Sequence, residues 1–357
     1  MSPAGGHSPR QAEVTRVAIT GGTGFVGGHL AEALSRNGHE VVVLARGVDD
    51  RPLAKAILNL PGVTVVHVGV NDVDGLVRAF EACDAVAHCA GINREIGVQT
   101  YEAVHVQGTA NVVGAAEQAG VRRLAMVSFL RARPDCGSAY HESKWAAEEI
   151  VRASDLDWTV LKPGMMYGRG DHMLDHLSHA LHTFPVFLGI GERQVRPLAV
   201  GDAVDIMMTA LCDGRLAEQT VAVVGPTAMG FDDAARLVAD TIGKRRLFLR
   251  MPLVFHRLLA SASEATMTVP LIAHAQVRML REEIVEATRA PDALPLDLMP
   301  STTFDETSIR SGLPEVGGFG LADLRCSGGP KWNGCATAGG RQPNRQSEEA
   351  VPGQRLD

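Results

Sequence analysis

The sequence lacks the features that mark several common classes of protein. No run approaches the roughly eighteen consecutive apolar residues of a membrane-spanning helix, so no such helix is expected. The six cysteines are scattered without C-x-x-C spacing, which suggests neither a zinc knuckle nor a disulfide framework and favours a reducing compartment such as the cytoplasm. No basic tract of useful length is present and the formal net charge is −7, so no nucleic-acid partner is expected.

The length of 357 residues and the changes in composition along the chain predict two domains. Residues 1–15 are polar and have no apolar segment, so we expect a flexible N-terminus rather than a signal peptide. Residues 16–166 alternate apolar strands with helical patterns. Residues 167–325 contain helices and irregular segments and are predicted to form a substrate lobe, with a return strand near 221–224. Residues 326–357 are almost free of aliphatic side chains and are predicted to be a disordered tail.

Short apolar runs in the first half are typical of strands buried on both faces. The predicted strands are residues 17–20, 40–45, 63–68, 85–89, 124–128 and 158–161. Because helical patterns separate them, the strands are expected to be parallel and covered on both sides. The predicted fold class is therefore α/β, a doubly wound parallel sheet (a Rossmann fold) with a smaller C-terminal lobe.

A glycine-rich turn follows the first strand and leads directly into a helical pattern. Gly22, Gly24 and Gly27 satisfy G-x-G-x-x-G. Glycines in such a turn let the backbone approach a pyrophosphate, which is bound by the free N–H groups at the start of the helix. A purely structural turn is the alternative, but the flanking strand and helix favour a dinucleotide site. The predicted contacts in this turn are Gly21, Gly22, Thr23, Gly24, Phe25, Val26 and Gly27.

The residue after the second strand carries information about the choice of cofactor. Sites for NAD place an acidic residue there to bind the ribose hydroxyls, whereas this chain has Arg46. A guanidinium is suited to a 2′-phosphate. We therefore expect NADP(H) to be preferred and NAD(H) to remain possible, with a merely solvent-facing arginine as the alternative.

Tyr140 and Lys144 lie four residues apart at the start of a strong helical pattern, which places them on one helix face. A lysine ammonium near a phenol favours the phenolate, so we expect the pKa of Tyr140 to be lowered. This arrangement would let the tyrosine exchange a proton with a hydroxyl or carbonyl group. Tyr-x-x-x-Lys pairs are common and usually inert, but the position downstream of a nucleotide turn makes this pair informative.

At these residues the chain resembles the extended short-chain dehydrogenase/reductase superfamily, which includes NAD-dependent epimerases and dehydratases. More narrowly, Tyr-His-x-Ser-Lys resembles the atypical subgroup that contains the nucleotide-binding accessory subunit of respiratory complex I. The similarity covers roughly residues 15 to 310. It implies that Tyr140 is the general acid/base, that Lys144 supports it and also binds the nicotinamide ribose, and that Ser128 completes the site. It further implies cofactor contacts from Ala90, Gly91, Pro163, Gly164 and Met165.

The chain departs from the pattern of this superfamily at several positions. Phe129 follows Ser128 where a second hydroxyl would be expected, and Ser128 itself either polarises a substrate carbonyl or caps the strand end. His105 replaces an asparagine of the helix after the fourth strand, and Gly69 stands where an aspartate commonly contacts adenine. Asp72 is predicted to cap the next helix. These departures weaken the case for turnover more than the case for cofactor binding.

Residues 171–182 contain an unusual concentration of histidines. His172, His176 and His179 share one helix face, with Asp175 beside it. This face either lines the mouth of the substrate pocket, is simply solvated, or holds a metal ion. The pocket mouth is favoured, no metal site is predicted, and activity is expected to change near the ordinary histidine pKa of about 6.5.

The segment from Lys244 to Phe255 mixes cations with bulky apolar side chains. It would contact a membrane surface or a lipid-like substrate such as a quinone, or it is a buried strand flanked by solvated arginines. The buried strand is favoured, because apolar runs bounded by proline usually lie in the core.

The leading functional interpretation is an NADP(H)-dependent oxidoreductase acting on a carbonyl/hydroxyl pair in a small, apolar or quinone-like substrate. The alternatives are a non-catalytic NADPH-binding subunit or sensor, and an epimerase or dehydratase that keeps its cofactor bound. No motif in the second lobe names the substrate.

Overall fold

The structure is a computed structural model that describes residues 15–47, 52–191, 193–266, 285–288, 291–315 and 317. The predicted tail at 326–357 and all but the last residue of the predicted flexible N-terminus lie outside the described residues.

Strands and helices alternate regularly up to residue 163. The strands are β1 Arg16–Thr20, β2 Glu40–Ala45, β3 Val63–His67, β4 Ala85–His88, β5 Arg123–Val127, β6 Asp157–Pro163, β7 Met166–Tyr167, β8 Val186–Gly189, β9 Gln194–Val195, β10 Leu198–Ala199, β11 Gln219–Val223, β12 Met229–Gly230 and β13 Leu247–Arg250. The α-helices are α1 Phe25–Arg36, α2 Pro52–Ile57, α3 Val73–Phe80, α4 Gly108–Gln118, α5 Ala139–Arg152, α6 His172–Thr183, α7 Val200–Cys212, α8 Phe231–Thr241, α9 Leu253–Thr266 and α10 Glu306–Gly312.

The main sheet is parallel throughout and has the strand order β11-β6-β5-β4-β1-β2-β3. In the centre, Ala18 of β1 pairs with Val42 of β2 on one side and Val86 of β4 on the other. One hydrophobic cluster joins the sheet to α1 and α7, and a second joins its other face to α3, α4 and α5. The predicted doubly wound α/β fold is therefore confirmed, since apolar strands are covered on both faces.

A third hydrophobic cluster lies in the second half of the chain. It contains Tyr167, Leu174 of α6, Phe231 of α8 and Ile309 of α10. Short strand pairs border it, with β7 parallel to β10, β8 parallel to β13 and β9 antiparallel to β12. We propose that this cluster is the core of the expected smaller lobe. At the position of the predicted return strand, β11 adds to the edge of the main sheet beside β6.

None of the helices in the described part of the chain is both long and apolar enough to cross a membrane.

Candidate active site

The predicted site residues follow the carboxyl ends of neighbouring parallel strands. The glycine turn follows β1, Ala90 and Gly91 follow β4, Ser128 follows β5 and Arg46 follows β2. Because these strands are adjacent and parallel, their carboxyl ends lie along one edge of the sheet. Ligands of open α/β sheets bind at this edge, where the strand order reverses. Here the reversal lies between β1 and β4.

The glycine turn is packed so tightly that side chains would not fit. Gly21 has φ +67°, and a Cβ atom there would lie 2.8 Å from the Cα of Ala90. A Cβ at Gly27 would lie 2.5 Å from the carbonyl oxygen of Gly21, and one at Gly22 would lie 2.8 Å from Val43 Cγ1. The glycines therefore allow α1 to start close to β1 and allow the turn to touch the loop after β4.

No side chain at the start of α1 accepts a hydrogen bond from the first backbone N–H groups of the helix. Gly24 is the N-cap, and neither a side-chain cap nor an acidic residue occurs in the first turn. The Gly28 N–H already donates to the Gly24 carbonyl oxygen at 2.9 Å, so the donors left for an anion precede it. Thr23 is buried, while Phe25 and Val26 are half-buried. An uncapped helix start that follows a glycine turn fits a pyrophosphate group.

Arg46 is exposed directly after β2, and Gly69 provides the space beside it. A Cβ atom at Gly69 would lie 3.2 Å from Arg46 Cγ. Any other residue at position 69 would press on the aliphatic stem of the arginine. Three residues later Asp72 caps α3 as predicted, with its carboxylate accepting from the Gly75 N–H at 2.9 Å.

Lys144 is buried in α5 and reaches toward the carboxyl ends of β4 and β5. Its Nζ donates to the Val127 carbonyl oxygen at 3.2 Å, and a Cβ atom at Gly91 would lie 3.2 Å from it. Burial lowers the pKa of Lys144 to about 8. At neutral pH the amine is therefore still mostly protonated. The structure thus brings Lys144 and Gly91 together.

Tyr140, one turn earlier on α5, lies within a group of aromatic rings. Its ring centroid is 5.7 Å from Tyr101, 5.7 Å from His105 and 5.6 Å from Phe129. Burial, and then the neighbouring phenol of Tyr101, raise the pKa of Tyr140 above its ordinary value. The expected lowering by Lys144 is therefore wrong, because burial disfavours the charged phenolate and the shift carries no contribution from the amine. At neutral pH the phenol stays protonated.

His105 connects the loop after β4 with the helix that carries Tyr140 and Lys144. Its Nε2 accepts from the Ile92 N–H at 3.1 Å, so its proton lies on Nδ1, 2.9 Å from Ser143 Oγ. The Ser143 hydroxyl in turn donates to the Tyr140 carbonyl oxygen at 3.0 Å. Burial lowers the pKa of His105 to about 2, which keeps the ring neutral.

His105 lies in a π-helical segment, Glu102–Gln107, that runs directly into α4. Such wide turns are frequent at functional sites. Sequence reasoning noted His105 only as a replacement and did not assign it these contacts. Ser143 lies inside the Tyr-His-Glu-Ser-Lys motif, which was the available signal for its participation.

Ser128 is held by a buried ionic network. Its hydroxyl donates to Glu148 Oε1 at 2.5 Å, and Lys162 Nζ donates to the same carboxylate at 2.7 Å and 2.8 Å. Arg152 adds a second cation at 2.6 Å. Two roles were left open for Ser128, polarising a substrate carbonyl or capping the strand end. Neither describes this contact, because the Ser128 hydroxyl donates its hydrogen bond to a carboxylate of α5.

The segment after β6 runs alongside the second lobe. Gly164 N–H donates to Val223 O at 2.9 Å, and Met165 O accepts from the Leu198 N–H at 2.9 Å. The carbonyl oxygen of Pro163 accepts from the Leu130 N–H at 2.9 Å. These backbone bonds fix Pro163, Gly164 and Met165 between the main sheet and the β7–β10 pair.

The histidine face of α6 is largely covered rather than solvated. His179 and Asp175 are buried, with His179 Nδ1 3.1 Å from Asp175 Oδ1, and a Cβ atom at Gly317 would lie 2.8 Å from His179 Nε2. Burial lowers the pKa of His176 to about 4, away from the value of about 6.5 expected for this residue, and the change in activity with pH stays a prediction. His172 is exposed. Among the described residues, no group of three or more His, Cys, Asp or Glu side chains is placed to hold a metal ion.

The interpretation of residues 244–255 as a buried strand is wrong. Leu247, Leu249 and Arg250 of β13 are exposed, and only Phe248 is half-buried. The strand belongs to a two-stranded ribbon that has the core on one face only.

Part of the chain matches a nucleotide-binding family. Residues 21–178 match the model of a family described as NAD(P)H-binding. The 40 kDa subunit of mitochondrial NADH-ubiquinone oxidoreductase from Neurospora crassa is 22% identical over 80% of this chain and 74% of that protein. A ceramide reductase from Caulobacter vibrioides is 34% identical over 43% of this chain and 47% of that protein.

Solved structures with the same fold contain a bound dinucleotide. The Bordetella bronchiseptica enzyme WbmG in complex with NAD has a TM-score of 0.58 and 22% identity, and covers 69% of this chain and 84% of its own. UDP-glucuronic acid 4-epimerase from Bacillus cereus in complex with NAD has a TM-score of 0.62 and 15% identity, over 84% of this chain and 97% of its own. Residues 21–178 thus resemble an NAD(P)H-binding family, the chain is similar to the mitochondrial complex I subunits, and its fold is that of NAD-binding epimerases.

Proposed function

We propose that this protein is an NADPH-dependent oxidoreductase that interconverts a carbonyl and a hydroxyl group. One observation carries the proposal. Lys144, which is on the same helix as Tyr140, lies against Gly91 at the edge of the sheet where the glycine turn is also found. The groups expected to bind the nucleotide therefore lie beside Tyr140, the expected proton donor. When bound, NADPH supplies the hydride.

The side chains have separate roles in this proposal. The uncapped start of α1 and the glycine turn bind the pyrophosphate, and Lys144 binds the nicotinamide ribose. Tyr140 donates the proton of its phenol to the substrate carbonyl oxygen during reduction. Its raised pKa supports the direction of reduction, since the phenol is protonated at neutral pH. His105 and Ser143 hold the loop after β4 against the first turn of α5.

NADPH is expected to bind more tightly than NADH, because Arg46 is exposed after β2 and Gly69 leaves room for its stem. Arg46→Asp should lose about 10- to 100-fold in affinity for NADPH, the range for a charged hydrogen bond to the 2′-phosphate, and retain NADH binding. Calorimetric titration of both cofactors measures this. Arg78→Asp, an exposed change on α3, is the matched control. Equal affinities of the unaltered protein for the two cofactors would contradict the preference.

Tyr140→Phe is expected to retain cofactor affinity and lose turnover. A phenyl ring preserves the contacts with Tyr101, His105 and Phe129 but cannot donate a proton, a loss typically of ~10²–10⁴ in rate. Single-turnover oxidation of NADPH with a panel of long-chain ketones and quinones measures it. Unchanged turnover on a confirmed substrate would remove Tyr140 from the proposed role.

An apolar or quinone-like substrate is part of the proposal. The rings of Tyr101 and Phe129 beside Tyr140 offer apolar contacts at the reacting group. The relative named ceramide reductase supports a reductase of this type, although it aligns with less than half of either chain. A cytoplasmic location, expected from the cysteine pattern, also remains part of the proposal.

A non-catalytic NADPH-binding subunit or sensor is the second candidate, and Ser128 is the observation that favours it. Its hydroxyl donates a hydrogen bond to Glu148 of the same chain instead of being directed to a substrate. The homologous subunits of mitochondrial NADH dehydrogenase support this candidate as well. Tight NADPH binding with no substrate-dependent oxidation of the cofactor across the panel would favour it over the reductase. An epimerase or dehydratase would instead regenerate its cofactor within each turnover.

A further inference from the structure

A two-stranded ribbon in the second lobe has an apolar face directed away from the core. β8 and β13 are parallel, and Phe187 and Phe248 pair on the side of the third hydrophobic cluster, with ring centroids 5.1 Å apart. Because side chains alternate along a strand, Leu188, Leu247 and Leu249 share the opposite side. Leu247 is 57% exposed and Leu249 44% exposed.

Helix α9, which follows the ribbon, also exposes its bulky apolar side chains. Val254 and Leu258 are each 62% exposed, and Phe255 is 51% exposed. The buried residues on this helix include the small side chains Ala260 and Ser263. A helix on the surface of a globular protein usually shows the opposite distribution, with bulky apolar groups inward and polar groups outward.

The helix and the ribbon are joined by hydrogen bonds close to these side chains. His256 is buried in α9, and its Nε2 donates to the Leu188 carbonyl oxygen at 3.1 Å. The Met251 N–H donates to the Gly189 carbonyl oxygen at 3.0 Å. The two apolar surfaces are therefore held next to each other. We call them together the basic-apolar face, which consists of Leu188, Leu247, Leu249, Val254, Phe255 and Leu258, with the cations described next.

The segments that build this face carry no acidic residue, and one of them is basic. Residues 183–191 and 241–263 contain no aspartate or glutamate, although the chain has a formal net charge of −7. The second segment contributes five cations, which are Lys244, Arg245, Arg246, Arg250 and Arg257. Arg245 and Arg257 are exposed. A surface with basic and no acidic residues is complementary in charge to an anionic surface.

We propose that the basic-apolar face docks the protein on the anionic surface of a membrane. The leucines and Phe255 enter the boundary between head groups and acyl chains, while the arginines contact lipid phosphates and carboxylates. Apolar groups flanked by basic side chains bind interfaces in this way, and the binding depends on anionic lipid. The face involves no residue of the proposed active site, so the proposal is independent of catalysis.

Co-sedimentation with lipid vesicles tests the proposal on the full chain. We expect the protein to bind vesicles of phosphatidylcholine with phosphatidylserine about tenfold or more tightly than vesicles of phosphatidylcholine alone. The double variant Leu249→Ser with Leu258→Ser should lose about tenfold or more in binding, since two buried side chains are removed from the interface. Leu296→Ser changes a leucine that is 91% exposed outside the face, and it is the matched control.

Charge reversal provides a second, independent variant. Arg245→Glu with Arg257→Glu should abolish the preference for phosphatidylserine, whereas Arg36→Glu with Arg78→Glu on α1 and α3 should preserve it. Retained NADPH affinity shows that each variant is folded. Vesicle binding that is unchanged in both face variants would overturn the proposal. So would a dimer in light scattering that the leucine variant dissociates, combined with no vesicle binding, because a second copy would then cover the face.

Discussion

Strands β2 and β13 are both short apolar runs in parallel pairings, yet they have opposite environments. In β2, Val41, Val42, Val43 and Leu44 are at most 5% exposed, because the strand lies between β1 and β3 with helices on both faces of the sheet. In β13, the core covers only the side of Phe248, and the leucines on the other side are exposed. The comparison teaches that an apolar run indicates a strand but does not indicate how many layers cover it.

A charged substitution gives the largest expected difference between the two strands. Val43→Asp should lower the free energy of unfolding by about 4–5 kcal/mol or more, because Val43 is fully buried and an unpaired carboxylate there has no partner. Leu249→Asp should change it by about 1 kcal/mol or less. Urea denaturation followed by circular dichroism measures both. Similar losses in the two variants would mean that β13 is covered in solution.

Ion pairs sharpen the same contrast between covered and uncovered positions. Glu148 is fully buried and holds Lys162, itself 4% exposed, so Glu148→Ala leaves a buried amine without its carboxylate. We expect a loss of about 3–5 kcal/mol in the free energy of unfolding. Asp297→Ala, which removes the surface partner of Arg215, should leave stability unchanged. Thermal unfolding of the two variants side by side checks this, and a negligible loss in Glu148→Ala would contradict it.

A third expected effect is a pH dependence from a histidine within the main sheet. Burial lowers the pKa of His88, at the end of β4, to about 3, and its ring lies 2.7 Å from Thr20 Oγ1 and 3.0 Å from Thr109 Oγ1. The unfolded chain takes up this proton near pH 6.5, whereas the folded chain does not. Stability is therefore lost as pH falls from about 6.5 toward 3, by roughly 1.4 kcal/mol per pH unit.

The variant His88→Asn isolates this contribution, because other titrating groups are common to both proteins. One of them is Asp171, whose pKa is raised to about 7 by burial and whose effect has the opposite sign. The difference in unfolding free energy between the unaltered protein and His88→Asn should shrink on acidification from pH 6 to pH 4. The matched control is His67→Asn, an exposed change at the end of β3. Parallel pH profiles for the unaltered protein and His88→Asn would exclude the assignment.

Much of the framework was predictable from local patterns. The six predicted strands of the first half match the observed ones to within two residues, since each is an apolar run ended by a turn signal. The glycine turn, the i, i+4 placement of Tyr140 and Lys144, and the cap at Asp72 depend on a few consecutive residues. The preference for NADPH and the proposed catalytic roles stay predictions.

Contacts between distant segments decided the remainder. Ser128 meets a carboxylate twenty residues away, and His105 meets Ser143 across thirty-eight residues. The direction of the shift in the pKa of Tyr140 depends on how deeply the ring is buried, and no motif encodes that burial. The sequence by itself determined where strands, helices and the nucleotide turn form, because those depend on local hydrogen bonding and side-chain periodicity. Only the tertiary structure decided which faces are covered and which polar groups meet, because solvation and pairing depend on segments brought together by folding.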